Sequence, residues 1–361
     1  MQSQTLTGIK RPPQFIIREY KPGDMSSVLA LAQLGLVGGS IGTWEENFWR
    51  WKHFDNPFGQ SIVLVATNSI GQIIGLRALS HWRFKAGDTV VKAARAVDTV
   101  THPDYRRYGV FSALTRRAVE QSKNSGIDLI YNTPNNQVLP GYLKLGWNYV
   151  SMIRPLVKVL NYPRFAAALP GILPNLKNNR SSGYLSPEQI ARQRLPSVSE
   201  FLSLSGAVEQ LLRSHGQTRD EILSTDRSID YLRWRYSEYP KAKYAVFYQE
   251  KEKALSGCVI LRPSTRFNLK EAVLSEMLFP KPDEGLASSF LDEMEKRLSA
   301  DYIIAYYPEG SFERHILCKH GFHQIPRGGV NFTVNVLTSH MPCEPTILEN
   351  WNICLGDIEV I

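Results

Sequence analysis

The sequence predicts an α/β fold built from two copies of one domain in tandem. Three observations predict it. Runs that alternate with period two, as strands do, are interleaved with helix-like runs. A βαβ-like unit sits in the middle of the first half, where a strand ending at Thr101 passes through a basic, glycine-containing turn into a helix. A pattern from the first half then returns, in the same order, in the second.

The first domain reads element by element. Phe15 to Tyr20 alternates as a strand, and Pro22-Gly23-Asp24 is a turn, with Asp24 as N-cap of a helix from Met25 to about Leu36. Thr43 is the expected cap of a second helix, Trp44 to about Phe54, with Glu45 and Glu46 favourably placed in its first turn. Asn56-Pro57-Phe58-Gly59 ends that helix. Strands follow at Ile62–Ala66 and Ile73–Ser80, and the turn at Lys85–Asp88 leads into the strand ending at Thr101. A helix from Phe111 to Ser125, a strand from Asp128 to Thr133, a short helix through Tyr142 and a strand from Trp147 complete the copy.

The repeat is visible in the residues. Phe48 to Pro57 parallels Tyr231 to Pro240, pairing Trp51 with Trp234 and Pro57 with Pro240. Downstream, Gly75 pairs with Gly257, and Lys144-Leu-Gly146-Trp147 echoes Lys319-His-Gly321-Phe322. The expected division is a first domain over 1–160, a linker over 161–196 rich in Pro, Asn, Ser and Gly, and a second domain over 197–361.

The stretch from His102 to Phe111 has the chemistry that a pyrophosphate needs. Successive backbone N–H groups point into such a turn, and the helix behind it presents a positive dipole end. Gly109 allows close backbone approach, and Arg106 and Arg107 add charge and fork-shaped donors. The same residues, Pro103-x-x-Arg106-x-x-Gly109-x-Phe111, resemble the acyl-CoA signature of the GNAT acetyltransferase superfamily, with Phe111 standing where that signature has Gly or Ala. The segment Asn135 to Tyr142 to Gly146-Trp147 resembles a second signature of that family.

The resemblance spans about residues 15–155 and implies two tandem GNAT-like domains, each a central mixed, mostly antiparallel twisted sheet flanked by helices. It implies acetyl-CoA or another acyl-CoA as co-substrate, bound by Val100, Thr101, Arg106, Arg107, Tyr108, Gly109, Val110, Phe111 and Asn135. It implies Tyr142 as the proton donor to the departing thiolate. The second copy reads Leu278 to Gly285 where the phosphate loop would fall, without Arg-x-x-Gly, and Leu317 where the tyrosine would fall, so it is expected to be non-catalytic.

Other residues carry two readings each. Asp98 interrupts an apolar strand, on the face that alternation gives to Ala96 and Val100. It is a candidate base for an incoming ammonium, or a structural acid bonded to backbone, Arg95 or Arg77; His102, where the loop begins, is the weaker candidate base. Asn135 suits a pantetheine contact or an Asx-type turn. Trp44, Phe48 and Trp49 are candidates for lining the acceptor site, stacking on a sugar face or an apolar chain. Positions 44, 48 and 51 share a helical face, which suits core packing equally.

Composition bounds the rest. Apolar content of 43% and charged content of 21% suit an ordinary globular protein. No run approaches the ~18 apolar residues of a membrane span, and Met1 to Lys10 lacks the apolar core of a signal peptide, so a cytoplasmic protein is expected. Cys258, Cys318, Cys343 and Cys354 form no C-x-x-C pair and no zinc-ligand spacing, so free thiols and no metal are expected. The net charge of +8 is scattered rather than clustered, which suits an anionic ligand and gives no nucleic-acid motif. The family resemblance, not composition, implies the activity: N-acylation, first of all N-acetylation, of a small amine by direct transfer. The two-domain plan and the Trp-rich segment ending in Asn56-Pro57-Phe58-Gly59 resemble acyltransferases found with polysaccharide or nucleotide-sugar biosynthesis, which makes an amino sugar the first candidate. Amino acid, polyamine or protein-lysine acceptors, an aminoacyl-tRNA-dependent transferase and an acyl-CoA sensor are the alternatives.

Overall fold

The computed structural model describes residues 14–36, 44–175, 182–184, 195–216, 221–252, 254–326 and 328–358. The expected cap at Thr43, the N-terminal decapeptide and much of the expected linker lie outside the described residues. Within the linker, a helix runs Tyr162–Asn175 and a short strand, Ser182–Tyr184, joins the second sheet.

The first copy opens with strand β1 (Phe15–Glu19), helix α1 (Met25–Gly35) and helix α2 (Glu46–His53). Strands β2 (Ile62–Asn68), β3 (Ile73–Ala86) and β4 (Thr89–Thr101) form an antiparallel meander. Helix α3 (Val110–Asn124) then crosses to β5 (Leu129–Asn132), which lies parallel to β4. Helix α4 (Leu139–Leu143), β6 (Asn148–Ile153) and β7 (Pro155–Val159) follow. The second copy repeats the plan: β10 (Ala245–Lys251), β11 (Ala254–Arg266), β12 (Leu269–Leu278), helix α9 (Glu284–Arg297), β13 (Tyr302–Tyr306), helix α10 (Phe312–Lys319), β14 (His323–Gln324) and β15 (Val330–Val336). In this numbering β8 is the Ser182–Tyr184 strand and β9 is Leu223–Thr225, which pairs with β3, while α5 to α8 are the helices Tyr162–Asn175, Val198–Leu202, Ser205–Gly216 and Ile229–Leu232.

The register of the two sheets shows the duplication. In the first copy Leu76 faces Val100 and Arg77 faces Thr99, after which the pairing jumps to Leu79 and Ala96. In the second copy Cys258 faces Leu278 and Val259 faces Met277, after which the pairing jumps between Ile260 and Leu261. Both jumps are β-bulges at the same place in the repeat. A further register shift recurs between Ala66 and Thr67 and between Gln249 and Glu250. Gly75 must be small because a Cβ there would meet Val110 at 2.6 Å; at Gly257 the same atom would meet Phe279 at 2.6 Å.

The copies trade their last strands. β15, from the end of the second copy, inserts between β5 and β6 of the first sheet. β7, from the end of the first copy, inserts between β13 and β14 of the second. The border drawn at residue 160 therefore falls after a strand that already belongs to the second sheet. Each sheet would otherwise present a bare edge at β5 or β13.

One large apolar cluster joins the halves, taking Phe48, Trp51, Trp82 and Phe332 together with Tyr231, Trp234 and Tyr239. At its centre the repeat-related Trp51 and Trp234 stack at 4.9 Å, 14° from parallel. Each indole Nε1 donates to the other residue's carbonyl oxygen at 2.8 Å. Among the described residues no helix is long and apolar enough to cross a membrane.

The reciprocal pair yields a stability prediction. Trp51→Ala and Trp234→Ala are each expected to cost about 3–5 kcal/mol in denaturant unfolding, the range for removing a large buried aromatic side chain. The double variant should cost clearly less than the sum, because the first truncation already removes the stack and both hydrogen bonds. Strict additivity would contradict the coupling.

Candidate functional site

β4 and β5 pair over only three residues, Ala93 to Arg95 against Leu129 to Tyr131. β4 continues to Thr101 while β5 ends at Asn132, so past Arg95 the two strands part. No strand pairs with that edge of β4 among the described residues. The bulge at Val97–Asp98 lies just inside this opening. Bulges concentrate next to active sites because they re-aim side chains.

The turn at the end of β4 closes the opening. Pro103–Tyr105 forms a single 3-10 turn, and His102 Nδ1 accepts from the Asp104 backbone N–H at 3.4 Å, so the imidazole helps to cap this turn. Arg107 and Gly109 both adopt left-handed backbone, with φ of 68° and 83°. An Arg held there is strained, the kind of strain that collects at ligand sites. Arg106, Arg107, Tyr108 and Gly109 are all exposed. Gly109 is the N-cap of α3 with no side-chain cap bond, and a Cβ built on it would meet nothing within 4 Å. No acid lies in the first turn of α3. The leading N–H groups of the helix thus face an open, basic surface, the arrangement that binds a phosphate. Val110 is buried against Gly75, so its contribution to such a ligand is through the main chain.

The second copy shows the contrast. Asp283 caps α9, its carboxylate accepting from Leu286 N at 2.9 Å. The chain's own anion fills the position where α3 stands open, and the link from β12 to α9, residues 279–283, is shorter than the 102–109 turn.

Tyr142 is buried on the α3 face of the sheet, in the cluster with Val110, Leu114 and Trp147. Phe111 meets its ring edge-on at 5.4 Å and Trp147 at 5.2 Å. The bulk of Phe111 is accommodated by Gly141, where a Cβ would approach the Phe111 ring at 3.2 Å. Arg77 Nη1 donates to the Tyr142 hydroxyl oxygen at 2.5 Å and to Thr99 Oγ1 at 2.5 Å. Asn135 is exposed, and its Oδ1 accepts from the N–H groups of Gln137 and Val138, the Asx-turn arrangement. Val100 is buried toward α1 and Thr101 is half-buried, its carbonyl accepting from Arg106 Nε at 3.4 Å.

Asp98 departs from expectation. The bulge breaks the alternation, so Ala96 packs with Val110 and Leu114 while Val100 packs with Val28 and Leu31 on the other face. Its partners are neither Arg95 nor Arg77. Lys52 Nζ donates to Oδ1 at 2.8 Å, and His53 Nε2 lies 2.9 Å from Oδ2. Burial opposes ionisation most strongly, but the Lys52 charge and the His53 hydrogen bond together outweigh it and hold the carboxyl at about 2. Burial pushes His53 down, so it is neutral. Because an ionised carboxylate only accepts, the proton sits on Nε2, and Nδ1 accepts from the Ser61 hydroxyl at 2.9 Å. A carboxylate so held is a poor base. Its register equivalent in the second copy is Glu276, whose Oε2 accepts from Tyr236, the counterpart of His53, at 2.7 Å. A copy without a phosphate loop retains the same carboxylate-to-helix bond, which marks it as structural.

The aromatic segment is corrected likewise. Phe48 lies in the cluster between the copies, and Trp49 is enclosed by α1 and the sheet. Only Trp44 of the three acceptor candidates is half-buried, over the Lys52 ammonium at 5.3 Å. The apolar face of α2 serves packing. Sequence reasoning missed Lys52, His53 and the role of Arg77; the visible signal for Arg77 was a charge in the middle of the apolar run from Ile73 to Ser80.

Residues 17–150 match the family of acetyltransferase (GNAT) domains. Residues 17–150 therefore carry a GNAT acetyltransferase domain, a family whose members use acyl-CoA as co-substrate, and the chain as a whole has the fold of two-domain GNAT-like proteins. A GCN5-related N-acetyltransferase from Anabaena variabilis is similar at TM-score 0.61 and 11% identity, over 90% of this chain and 73% of that one. A protein from Enterococcus faecalis described as a probable N-acyltransferase is similar at 0.60 and 11%, over 90% and 72%. N-myristoyltransferase from Saccharomyces cerevisiae, solved with myristoyl-CoA and inhibitors, is similar at 0.59 and 12%, over 98% and 88%. These likenesses concern the fold. A comparison with curated proteins finds no sequence match.

The buried Asp98 predicts an acid-sensitive stability. Asp98→Asn should cost about 3–5 kcal/mol near neutrality, since it leaves Lys52 buried without a counter-charge. The unfolded carboxyl takes up its proton near 3.8 and the folded one near 2, so wild-type stability falls as pH drops through that window. Urea titrations from pH 7 to 2 should show the gap between wild type and variant narrowing below about pH 4; a constant gap would contradict the assignment.

Proposed function

We propose that the chain is an acyl-CoA-dependent N-acyltransferase that transfers a short acyl group, first of all acetyl, to a small amine by direct attack. The catalytic work falls to the first copy, and the second is its folded partner. The observation that carries the reading is the open N-terminus of α3 behind Gly109, set against the self-capped N-terminus of α9. The pyrophosphate would meet the N–H groups of the turn and of Val110 and Phe111, with Arg106 and Arg107 adding charge. The pantetheine arm would follow the unpaired edge of β4.

In the reaction the amine nitrogen bonds to the acyl carbon and loses one proton. The carbon–sulfur bond breaks, and its electron pair stays on sulfur. Tyr142 gives its phenolic proton to that sulfur, and the proton lost by nitrogen restores the phenol through solvent. Asp98, held ionised by Lys52, is not assigned as the base; the amine sheds its proton to water. The amino-sugar reading rested on the two-domain plan and the Trp-rich segment; Phe48 and Trp49 of that segment are spent on packing, so the acceptor is proposed only as an amine. Retention of the Arg106-x-x-Gly109 turn favours acyl-CoA over an aminoacyl-tRNA donor.

Gly109→Asp sets a carboxylate against the bound anion and should abolish acetyl-CoA binding in calorimetry, while the protein stays folded and loses no more than the roughly 1–2 kcal/mol that a side chain in left-handed backbone costs. Equal binding by the two proteins would refute the site. With a panel of amines, Tyr142→Phe should lower kcat by roughly 10²-fold at nearly unchanged acetyl-CoA affinity. A Phe variant as fast as wild type removes Tyr142 from the chemistry.

A further inference from the structure

The two copies act as an internal control on which polar residues the fold itself needs. Aligned through the shared bulge, Asp98 corresponds to Glu276 and His53 to Tyr236, and the hydrogen bond between them is kept in both. Trp51 and Trp234 are kept as well. Arg77, Thr99 and Tyr142 behave differently. Their counterparts are Val259, Met277 and Leu317, all buried in one apolar cluster. The three residues that hydrogen-bond to one another in the first copy are replaced together by hydrocarbon and thioether in the second. The fold can therefore close this position without polar groups.

Arg77 is the costly member. Its exposure is 0%, and no carboxylate pairs with it among the described residues. Nη1 donates to Thr99 Oγ1 and Tyr142 Oη, while the buried Nε and Nη2 have no hydrogen-bond partner. A buried, uncompensated guanidinium destabilises a fold relative to an apolar side chain of similar size. Nor is it required to fix the tyrosine ring, which Phe111 and Trp147 already flank. Its charge lies against one atom, the phenol oxygen.

We propose that Arg77 is a positioning residue for acyl transfer, holding the Tyr142 phenol so that its proton is directed away from the guanidinium and toward the departing sulfur. This rests on the reading of Tyr142 as proton donor. Arg77 has no acceptor lone pair, so it can only donate, and it occupies one lone pair of the phenol oxygen. When the carbon–sulfur bond breaks with its electron pair on sulfur, the proton passes from the phenol to the thiolate. The phenolate left behind forms beside a fixed positive charge in a dry site, where such stabilisation is strongest. Thr99 steadies the arrangement, accepting from Arg77 and donating to the Val97 carbonyl at 3.0 Å.

The test compares Arg77→Met, Arg77→Lys, Tyr142→Phe and the Met/Phe double variant in the full chain, by steady-state kinetics with acetyl-CoA and an accepted amine, acetyl-CoA calorimetry and thermal unfolding. Arg77→Met should keep acetyl-CoA affinity within about 3-fold and melt no lower than wild type, yet lose roughly 10–100-fold in kcat, no more than Tyr142→Phe loses and at or below the roughly 10²–10³-fold that removing a direct oxyanion donor costs. Arg77→Lys should recover part of that loss. In the Tyr142→Phe background the Met substitution should change kcat by less than about 3-fold, because the group it serves is gone. A full, additive loss in that background overturns the proposal while leaving Tyr142 as donor. A Tyr142→Phe enzyme as active as wild type overturns the donor reading instead, and the proposal with it. If Arg77→Met melts far below wild type, Arg77 is structural and the proposal fails, unless Arg77→Lys folds normally and its own smaller kcat loss is confined to the Tyr142 background.

Discussion

The stacking of Trp51 on Trp234 is the contact around which this molecule is organised. Each indole donates to the carbonyl of the other, so the arrangement maps onto itself when the two copies are exchanged. Only a duplicated sequence offers the same residue from both sides. The strand exchange has the same symmetry: β7 leaves the first copy for the second sheet, and β15 returns to complete the first. Neither sheet is whole without the other half of the chain, and the large aromatic cluster buries the faces that a lone copy would expose.

Within that frame the copies divide their tasks. Both keep a bulge where the last two strands of the meander pair, β3 with β4 and β11 with β12, a buried carboxylate beside it and a bond from that carboxylate to the segment carrying the tryptophan. These features orient that segment and hence the tryptophan. What differs lies at the far end of the strand. One copy ends it in a basic turn with Gly109 before an uncapped helix; the other ends it in a short link with Asp283 as cap. Beneath the sheet, the hydrogen-bonded Arg77, Thr99 and Tyr142 of the first copy give way to the apolar Val259, Met277 and Leu317 of the second.

Much of this was legible in the residues. The basic glycine turn between strand and helix, the paired tryptophans and the missing loop in the second half all follow from local chemistry, and each lies where the sequence reading put it. The strand exchange was not legible, because β7 and β15 alternate as ordinary strands and nothing local says which sheet a strand joins. The bulge was also hidden: one extra residue at Val97–Asp98 shifts every later side chain of β4 to the opposite face, so Asp98 turned toward α2 rather than toward the arginines. Trp49 and Phe48 misled for a different reason. Aromatic residues on one helix face serve an interface between domains as well as a ligand, and only the partner surface distinguishes the two.

The central claim is that the duplicated chain holds one working acyl-CoA site, in the first copy, and that the second copy is closed by its own carboxylate. Calorimetric titration of the intact chain with acetyl-CoA tests it most directly. The account predicts saturation at one equivalent per chain; saturation near two would mean that the capped helix also accepts the cofactor, and would contradict it.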